Sequence, residues 1–360
     1  MNEAALRDLI QQHYAAPGAV VSCEAMPGGR IHHSYRVRFE RGPDWLLQRF
    51  NTDVFSDPRA VMNNIERVCA HIGAGRDEQM HAGPSVPGLV PCANGATMAR
   101  TPGGEHWRAF IFIAGTRAFN HIPDSTHAYA AAQAFARFAH ALSDLPPPAL
   151  SETIPGFHDT PARLVALRAA VDRDPLGRLS GCAPLAQALL AEEPLAHALE
   201  GGLPRRTIHN DTKINNLLFA ARATPPIVSH VVDLDTVMPG VLAHDFGDLV
   251  RSAANTAPDE DRARFDIGLF AALARGYTRG IAPLLSSDEW ASLRIAPQVL
   301  SLELAARFLT DHILGDGYFQ VVAAGDNLRR ARAQTDLLGQ MRTAGRDMDR
   351  IMAECRMQRS

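Results

Sequence analysis

Residues 207–219 read TIHNDTKINNLLF and carry a dense run of polar side chains between two apolar ends. Thr207-Ile208 is typical of the end of a short buried strand, and Leu217–Phe219 of the start of another. The polar residues between them include His209, Asp211, Lys213, Asn215 and Asn216. Asn and Asp side chains can simply cap a polar loop. A connection between buried strands does not need so many hydrogen-bonding groups for folding, so the loop is a candidate for chemistry.

Two carboxylates follow at the end of the next strand. Residues 227–233 (IVSHVVD) are rich in β-branched side chains and predict a buried strand. Asp233 and Asp235 stand at its mouth. Magnesium is usually held by one or two carboxylates together with substrate phosphates. A strand-end aspartate can also cap the next turn, but the position one strand after the polar loop favours a metal site.

The spacing His-x-Asp-x4-Asn repeats the catalytic loop of protein kinases. It is formed here by His209, Asp211 and Asn216. In protein kinases the aspartate accepts the proton of the attacking hydroxyl and the asparagine holds a magnesium ion. Lys213 could neutralise charge that builds on a transferred phosphoryl group.

Three strings together resemble the aminoglycoside phosphotransferase superfamily, the small-molecule relatives of protein kinases. They are HNDTKINNLLF, VVDLDTVMPG and HDFGDLVRSAAN. Within the superfamily, the DTKxNN and DLDTVMPG strings are most similar to the N-acetylhexosamine 1-kinases. The likeness covers nearly the whole chain. It implies an α+β, protein-kinase-like fold with two lobes: an N-terminal nucleotide-binding lobe of antiparallel sheet plus helix over residues 1–113, and a mostly helical catalytic and substrate-binding lobe over residues 114–360.

The resemblance also implies a reaction, the ATP-dependent phosphorylation of the anomeric hydroxyl of an N-acetylhexosamine. Asp211 would be the base, with Lys213 beside it. Asn216 and Asp233 would hold Mg²⁺ between the phosphates, with Asp235 next to them. ATP and Mg²⁺ are therefore the expected cofactors.

The nucleotide contacts are expected from the N-terminal lobe. Gly28 and Gly29, in a Pro-Gly-Gly turn, would let the backbone approach the phosphates closely, although such a turn is often only a hairpin. The third strand, Trp45–Phe50, has no lysine, so Arg49 is the candidate phosphate clamp, because alternation places Gln48 on the opposite face.

Three further residues complete the expected nucleotide site. Glu66 is the only acid in the body of the following helix and is the expected partner of Arg49. Phe112 and Ile113, at the end of an apolar run, match the hinge strand where an adenine would lie.

The acceptor contacts are expected from both lobes. The resemblance places His32 at the mouth of the active site and gives Arg307 and Tyr318 contacts to the sugar, together with Asp211. An exposed arginine and a core tyrosine are the alternative. The DFG string after the metal strand contains Asp245, which we expect to accept hydrogen bonds from the loop backbone; Asp248 could similarly hold Arg251.

Helices are predicted from apolar periodicity and capping residues. The first begins after the cap Asn2 and runs to about His13, and the second begins at Pro58 after the cap Asp57. The others are expected at 126–142, 160 to about 171, 184–199, 259–279, 288–309 and 326–356.

Composition restricts the partners and the compartment. The net charge of −3 offers no general attraction to nucleic acid, and no apolar run reaches membrane-spanning length. Five cysteines without CxxC spacing are typical of free thiols in a reducing compartment. No secretory signal is visible, so a cytoplasmic location is expected. Sugar and ATP are the expected partners, in a monomer or homodimer.

Two alternatives stay open. A kinase of another small alcohol, such as choline, homoserine or an aminoglycoside, would share the motifs, but a cationic acceptor calls for an acidic site that the sequence does not show. An inactive ATP-binding regulatory module is the second alternative. It is less consistent with the joint presence of Asp211, Asn216 and Asp233.

Overall fold

The computed structural model describes residues 1–26, 31–77, 83–146, 149–257 and 262–358, without the side chains of residues 75–77. Its strands are β1 (Val20–Ala25), β2 (His33–Phe39), β3 (Trp45–Arg49), β4 (Leu89–Val90), β5 (Ala99–Arg100), β6 (His106–Ile111), β7 (Thr116–Arg117), β8 (Arg206–Ile208), β9 (Leu217–Ala220), β10 (Val228–Val231) and β11 (Met238–Gly240). Its helices are α1 (Glu3–His13), α2 (Pro58–Asp77), α3 (Ser125–Ala141), α4 (Thr160–Arg173), α5 (Ala183–Leu190), α6 (Glu193–Ala196), α7 (Leu242–Ala253), α8 (Ile267–Ile281), α9 (Ser287–Leu314), α10 (Asp326–Thr343) and α11 (Gly345–Met357).

An antiparallel sheet forms the N-terminal part of the molecule. Its strand order is β1-β2-β3-β6-β4, and β5 also pairs with β6. Side chains alternate between the two faces of the sheet, and both faces are covered. Leu47 and Trp107 pack with Leu6 and Ile10 of α1 on what we call the outer face. Phe110 packs in the cluster of α2 on the inner face.

Helix α2 joins the sheet to the helical part. It begins after Asp57, whose Oδ1 accepts hydrogen bonds from the amides of Arg59 and Ala60. Asp57 therefore caps the helix, as the sequence predicted. The side chain of Asn64 is buried in the middle of α2 and donates to the carbonyls of Ser151 and Val237 at 2.8 and 3.0 Å. These bonds fix α2 against the segment that carries Asp233 and Asp235.

The C-terminal part is mainly helical, with small sheets β10-β9-β7 and β11-β8 on either side of the loop 209–216. The α+β fold class is therefore confirmed. Two predicted helices are divided: 184–199 is α5 and α6, and 326–356 is α10 and α11, which meet at Ala344. Helix α9 continues five residues past the predicted end, to Leu314, and closes on Gly315 with φ 118°. The predicted start at 259 lies outside the described residues, and α8 begins at Ile267.

Within the described ranges, none of the helices combines the length and apolar character that spanning a bilayer requires. The five cysteines are free thiols, as predicted.

Helices α3 and α8 approach closely because small residues line their contact. A Cβ built on Gly276 of α8 would collide with the carbonyl oxygen of Tyr129, and one on Gly280 would lie 2.6 Å from the Cβ of Ala136. The alanine-rich sequence of α3 thus matches glycines on α8. The two helices cannot move apart without opening the core between them.

Replacement of Gly276 by Ala tests this contact. We expect Gly276→Ala to lower the free energy of unfolding by about 1–3 kcal/mol, because the added methyl group overpacks a fixed helix pair. The measurement is urea unfolding followed by circular dichroism. Gly339→Ala in α10 is the matched control, since a Cβ added there would meet no atom within 4 Å. That variant should be neutral or more stable by up to about 1 kcal/mol, because alanine favours helix over glycine. Equal effects at both positions would contradict the close contact.

Candidate active site

The polar stretch forms the loop between β8 and β9, and a buried carboxylate fixes its backbone. Asn210 has a left-handed φ of 64°. The amides of His209 and Asn210 donate to the two carboxylate oxygens of Asp245 at 3.0 and 2.7 Å. The hydroxyl of Thr212 donates to the carbonyl of Asp245 at 2.6 Å. Asp245 at the start of α7 therefore holds the loop, as predicted.

Asp211 lies between a cation and an amide. The Nζ atom of Lys213 is 2.9 Å from its Oδ2, and the Nδ2 atom of Asn216 donates to the same oxygen at 3.2 Å and to the Asp211 carbonyl at 2.8 Å. Burial opposes ionisation, but the charge of Lys213 lowers the pKa of Asp211. The carboxylate is thus ionised and oriented, and Oδ1 accepts no hydrogen bond from the residues that the structure describes.

Asp233 lies beside this loop in a left-handed turn. The amide of Val232 donates to the carbonyl of Asn216 at 2.9 Å, which joins the two segments. Asp233 has φ 61° and is exposed. Although the residue is exposed, nearby protein atoms partly desolvate its carboxylate, and this desolvation together with the charges of Asp235 and Asp211 raises the pKa of Asp233 to about 6. This carboxylate therefore carries a charge that the protein compensates only in part.

These groups fit a divalent cation that also binds a phosphate. The amide nitrogen of Asn216 faces Asp211, which leaves its oxygen for a ligand, and Asp233 offers an open carboxylate. No cluster of three or more His, Cys, Asp and Glu side chains occurs among the described residues. Magnesium usually takes one or two carboxylates and completes its shell with water and phosphates, so a small protein donor set matches this ion.

Asp235 has a different environment from the one that the sequence predicted. Both of its oxygens are occupied: Nη1 and Nη2 of Arg108 contact Oδ1 and Oδ2, the second at 2.8 Å, and Nε2 of His32 donates to Oδ2 at 2.7 Å. Burial opposes the charge, but Arg108 and His32 hold the pKa of Asp235 well below its usual range. Only 2% of Asp235 is exposed, so it anchors the sheet to the turn after β10 and leaves Asp233 as the open carboxylate.

His32 is part of the same anchor. Its Nδ1 accepts a hydrogen bond from the amide of Asn51 at 3.1 Å, so Nε2 is the protonated nitrogen that donates to Asp235. The ring is 8% exposed and lies 4.9 Å from the ring of Phe50. Both ring nitrogens of His32 are therefore hydrogen-bonded within the protein, which leaves neither of them for the predicted sugar contact.

Arg49 lies on the outer face of the sheet, opposite to the face that carries Arg108, and its phosphate contact stays a prediction. It pairs in register with Trp107, whose side chain packs on the outer face, and its Nη1 contacts Glu105 at 2.7 Å. Glu66, the expected partner, accepts instead from the hydroxyl of Thr97. As expected, Arg49 and Gln48 lie on opposite faces of β3. Gln48 is on the inner face, where its side-chain oxygen accepts a hydrogen bond from Nε of Arg108 at 3.0 Å.

The predicted hinge residues are half-buried at the end of β6. The amide of Phe112 donates to the carbonyl of Asp44 at 2.8 Å, and the carbonyl of Ile113 accepts from Thr116 at 2.9 Å. The guanidinium of Arg36 lies 4.3 Å from the centre of the Phe112 ring. Those two backbone groups are therefore engaged within the protein. Gly28 and Gly29 lie outside the described residues.

Arg307 and Tyr318 are neighbours in the structure. Nη2 of Arg307 is 3.4 Å from the hydroxyl of Tyr318, and its guanidinium lies 5.4 to 5.7 Å from the ring centres of Phe157, Tyr318 and Phe319. Tyr318 is 58% exposed, whereas the Arg307 side chain is 15% exposed. The pair presents a cation and a phenol at the surface of α9.

Three residues that the sequence interpretation missed connect these groups. Arg108 interrupts the apolar run 107–113, and that interruption was a usable signal for a buried charge. His158 and Glu303 gave no such signal, because they are 145 positions apart in the chain.

Comparisons with known proteins agree with this fold. A family model described as "Phosphotransferase enzyme family" matches residues 22–284. A microcompartment-associated aminopropanol kinase is 15% identical, with a TM-score of 0.61 and coverage of 96% of this chain and 98% of that chain. An aminoglycoside phosphotransferase from Alicyclobacillus acidocaldarius is 15% identical, with a TM-score of 0.63 and coverage of 98% and 95%. An amicoumacin kinase, solved in complex with AMP-PNP, Ca²⁺ and Ami, is 13% identical, with a TM-score of 0.61 and coverage of 94% and 93%. At these identities the solved structures establish the fold.

The two arginines of the sheet should differ sharply when replaced. Arg108→Gln leaves the Asp235 carboxylate buried without its cation, and we expect it to lower the free energy of unfolding by about 3–5 kcal/mol. Arg49→Gln removes a half-exposed pair with Glu105 and should cost less than about 1 kcal/mol. Urea unfolding measures both. ATP affinity, measured by calorimetry, should be unchanged in Arg49→Gln; a large loss there would restore Arg49 as the phosphate clamp.

Proposed function

Because this chain belongs to the phosphotransferase enzyme family, we propose that it transfers the γ-phosphoryl group of ATP to a hydroxyl of a small neutral sugar. The observation that carries the proposal is the arrangement of Asp211, with Lys213 and Asn216 on its Oδ2 and Asp233 on the adjoining turn. A loop that only connected two strands would not need an oriented, ionised carboxylate beside a second, open one.

In the proposed reaction, Oδ1 of Asp211 accepts the proton of the acceptor hydroxyl. Lys213 keeps Asp211 ionised and adds positive charge where the phosphoryl group passes. A magnesium ion held by Asn216 and Asp233 would neutralise charge on the phosphates. Such transfers depend mainly on positioning and electrostatics. The residues of this loop therefore act by holding the hydroxyl and the phosphoryl group in line.

Replacement of Asp211 by Asn tests this role. The amide cannot accept the proton in the same way, so we expect kcat to fall by about 10²–10⁴-fold, whereas ATP affinity changes by less than about fivefold. Steady-state ADP release and calorimetry measure the two quantities. The control is Asp349→Asn, which removes a surface pair with Arg294. A variant of Asp211 that kept most of its kcat would refute the assignment.

The charges around Arg307 favour a neutral acceptor. Glu303 is taken by His158 and Arg307, and Asp248 is paired with Arg251 at 3.0 Å or less. The acids of this region are thus compensated, and Arg307 supplies a cation. A cationic aminoglycoside or choline would meet repulsion from Arg307 here.

The chemistry of Arg307 and Tyr318 fits an N-acetylated sugar. A guanidinium offers five fixed donors, which suit sugar hydroxyls and an acetamide carbonyl, and the phenol can donate or accept. Aromatic rings at Phe157 and Phe319 supply apolar surface for a pyranose. We therefore infer N-acetylhexosamine phosphorylation at C1. Homoserine is the second candidate, because its carboxylate would also pair with Arg307.

A panel of acceptors tests the substrate. ADP release should be fastest with N-acetylglucosamine or N-acetylgalactosamine, slower with glucose or homoserine, and slowest with choline or an aminoglycoside. Arg307→Ala should raise the KM for the best acceptor by about 10–100-fold, the loss of a charged hydrogen bond. Arg294→Ala, at an exposed position of the same helix, should leave this KM unchanged. Preference for a cationic alcohol would overturn the sugar assignment but leave the kinase assignment intact.

A further inference from the structure

His158 lies between two hydrogen-bond acceptors. Its Nδ1 is 3.1 Å from Oε1 of Glu303, and its Nε2 is 2.9 Å from the carbonyl oxygen of Asn210. The side chains of His158 and Glu303 are 6% and 2% exposed. A carbonyl and a carboxylate can only accept, so each ring nitrogen must carry a proton. The geometry therefore requires a buried imidazolium.

Glu303 is shared between His158 and the acceptor-binding arginine. Its Oε2 accepts from the hydroxyl of Thr160 at 3.1 Å, and its Oε1 is 3.8 Å from Nη1 of Arg307. Burial acts to raise the pKa of this acid, but the charges of His158 and Arg307 lower the pKa of Glu303 to about 2. The carboxylate is thus an ionised bridge between the two cations.

The other end of this connection is the residue before Asp211. Asn210 adopts φ 64°, a left-handed conformation that is uncommon for residues other than glycine and is most often occupied by Asn and Asp among them. Asp245 holds its amide, and His158 holds its carbonyl. The peptide group that precedes Asp211 is therefore set in part by a histidine that also binds Glu303.

We propose that His158 and Glu303 are positioning residues that couple Arg307, at the acceptor side, to the backbone that orients Asp211. The acceptor role of Arg307 rests on the proposed function, whereas the coupling itself is a property of the fold. A movement of Arg307 on acceptor binding would shift Glu303, then His158, and then the Asn210 carbonyl, because each contacts the next. The acceptor would in this way help to place the base that deprotonates it.

The charges that face His158 come from several elements. Glu303 of α9 and Asp248 of α7 both act on its charge, and Arg307 of α9 pairs with Glu303. His244 of α7 lies with its ring centre 4.8 Å away, and burial together with His158 lowers the pKa of His244 to about 3, so it is neutral. Burial alone would lower the pKa of His158, but Glu303 and then Asp248 raise it.

Kinetics of His158→Phe and Glu303→Gln test the coupling. The phenyl ring keeps the packing against Phe157 and removes both hydrogen bonds. We expect kcat to fall by about 10–100-fold through misplacement of Asp211, with ATP affinity unchanged. Glu303→Gln should raise the acceptor KM as well, because it releases Arg307. The matched control is His71→Phe, since Nε2 of His71 also contacts a carbonyl and a carboxylate, those of Ala141 and Asp144 at 3.1 and 2.7 Å. Its kinetics should equal those of the natural protein.

A double-mutant cycle in thermal stability needs no substrate. The losses in Tm of His158→Phe and Arg307→Ala should not add, because both remove parts of one network through Glu303. Additive losses would overturn the coupling. If no acceptor supports turnover but the cycle is non-additive, the proposed function fails and the coupling stands. Should His158→Phe not fold, His158→Gln, which keeps one N–H for the Asn210 carbonyl, is used in the same cycle.

The pH dependence of Tm distinguishes stabilisation by a charged His158 from stabilisation by packing of its ring alone. Because the folded-state pKa of His158 is raised, its stabilisation is fully present below the ordinary histidine pKa of about 6.5 and is lost as pH rises through the folded value. The Tm difference between the natural protein and His158→Phe should therefore shrink between pH 6 and pH 9. A constant difference would show that His158 acts by packing alone and would overturn the proposal.

Discussion

The ion pair between Arg108 and Asp235 is the constraint on which the site depends. Arg108 comes from the middle of the sheet and Asp235 from the turn after β10, and each is 2% exposed. A buried carboxylate without its partner costs several kcal/mol, so the sheet and the turn are stable only when the two groups meet. His32 and Gln48 occupy the remaining positions around the pair. The orientation of the sheet against this turn is thereby fixed by electrostatics as well as by apolar packing.

Two irregular segments elsewhere in the structure are also held by a buried acid. Asp245, on α7, accepts two amides of the loop that precedes Asp211. Asp311, on α9, accepts the amides of Tyr318 and Phe319, each at 2.9 Å. In each case a rigid helix presents a buried acid, and the acid holds a loop in one conformation. Side chains that must lie within a fraction of an ångström of a reacting group need this kind of support.

Local patterns in the sequence were sufficient for some of these features and not for others. The capped start of α2 and the role of Asp245 were correct because caps and motifs are local in sequence. The face of Arg49 could not be predicted from the sequence, because apolar residues cover the outer face at α1 as well as the inner face at α2. Alternation shows only that Arg49 and Gln48 lie on opposite faces. Helices α10 and α11 were merged because helical periodicity continues across Ala344. His158 and Glu303 could not be paired, since only the fold brings them together.

Asp233 and Asp235 illustrate why the type of a residue does not determine its role. They are two positions apart, yet one is compensated by Arg108 and His32, whereas the other is exposed in a left-handed turn. Were both open, two uncompensated carboxylates would repel each other and the neighbouring Asp211. Internal neutralisation of Asp235 reduces that repulsion but does not remove it, as the pKa of about 6 for Asp233 indicates, raised by the surrounding protein and by Asp235 and Asp211. The remaining repulsion costs the folded state stability, and a bound cation would recover it, which is how sites for charged ligands commonly depart from the most stable arrangement.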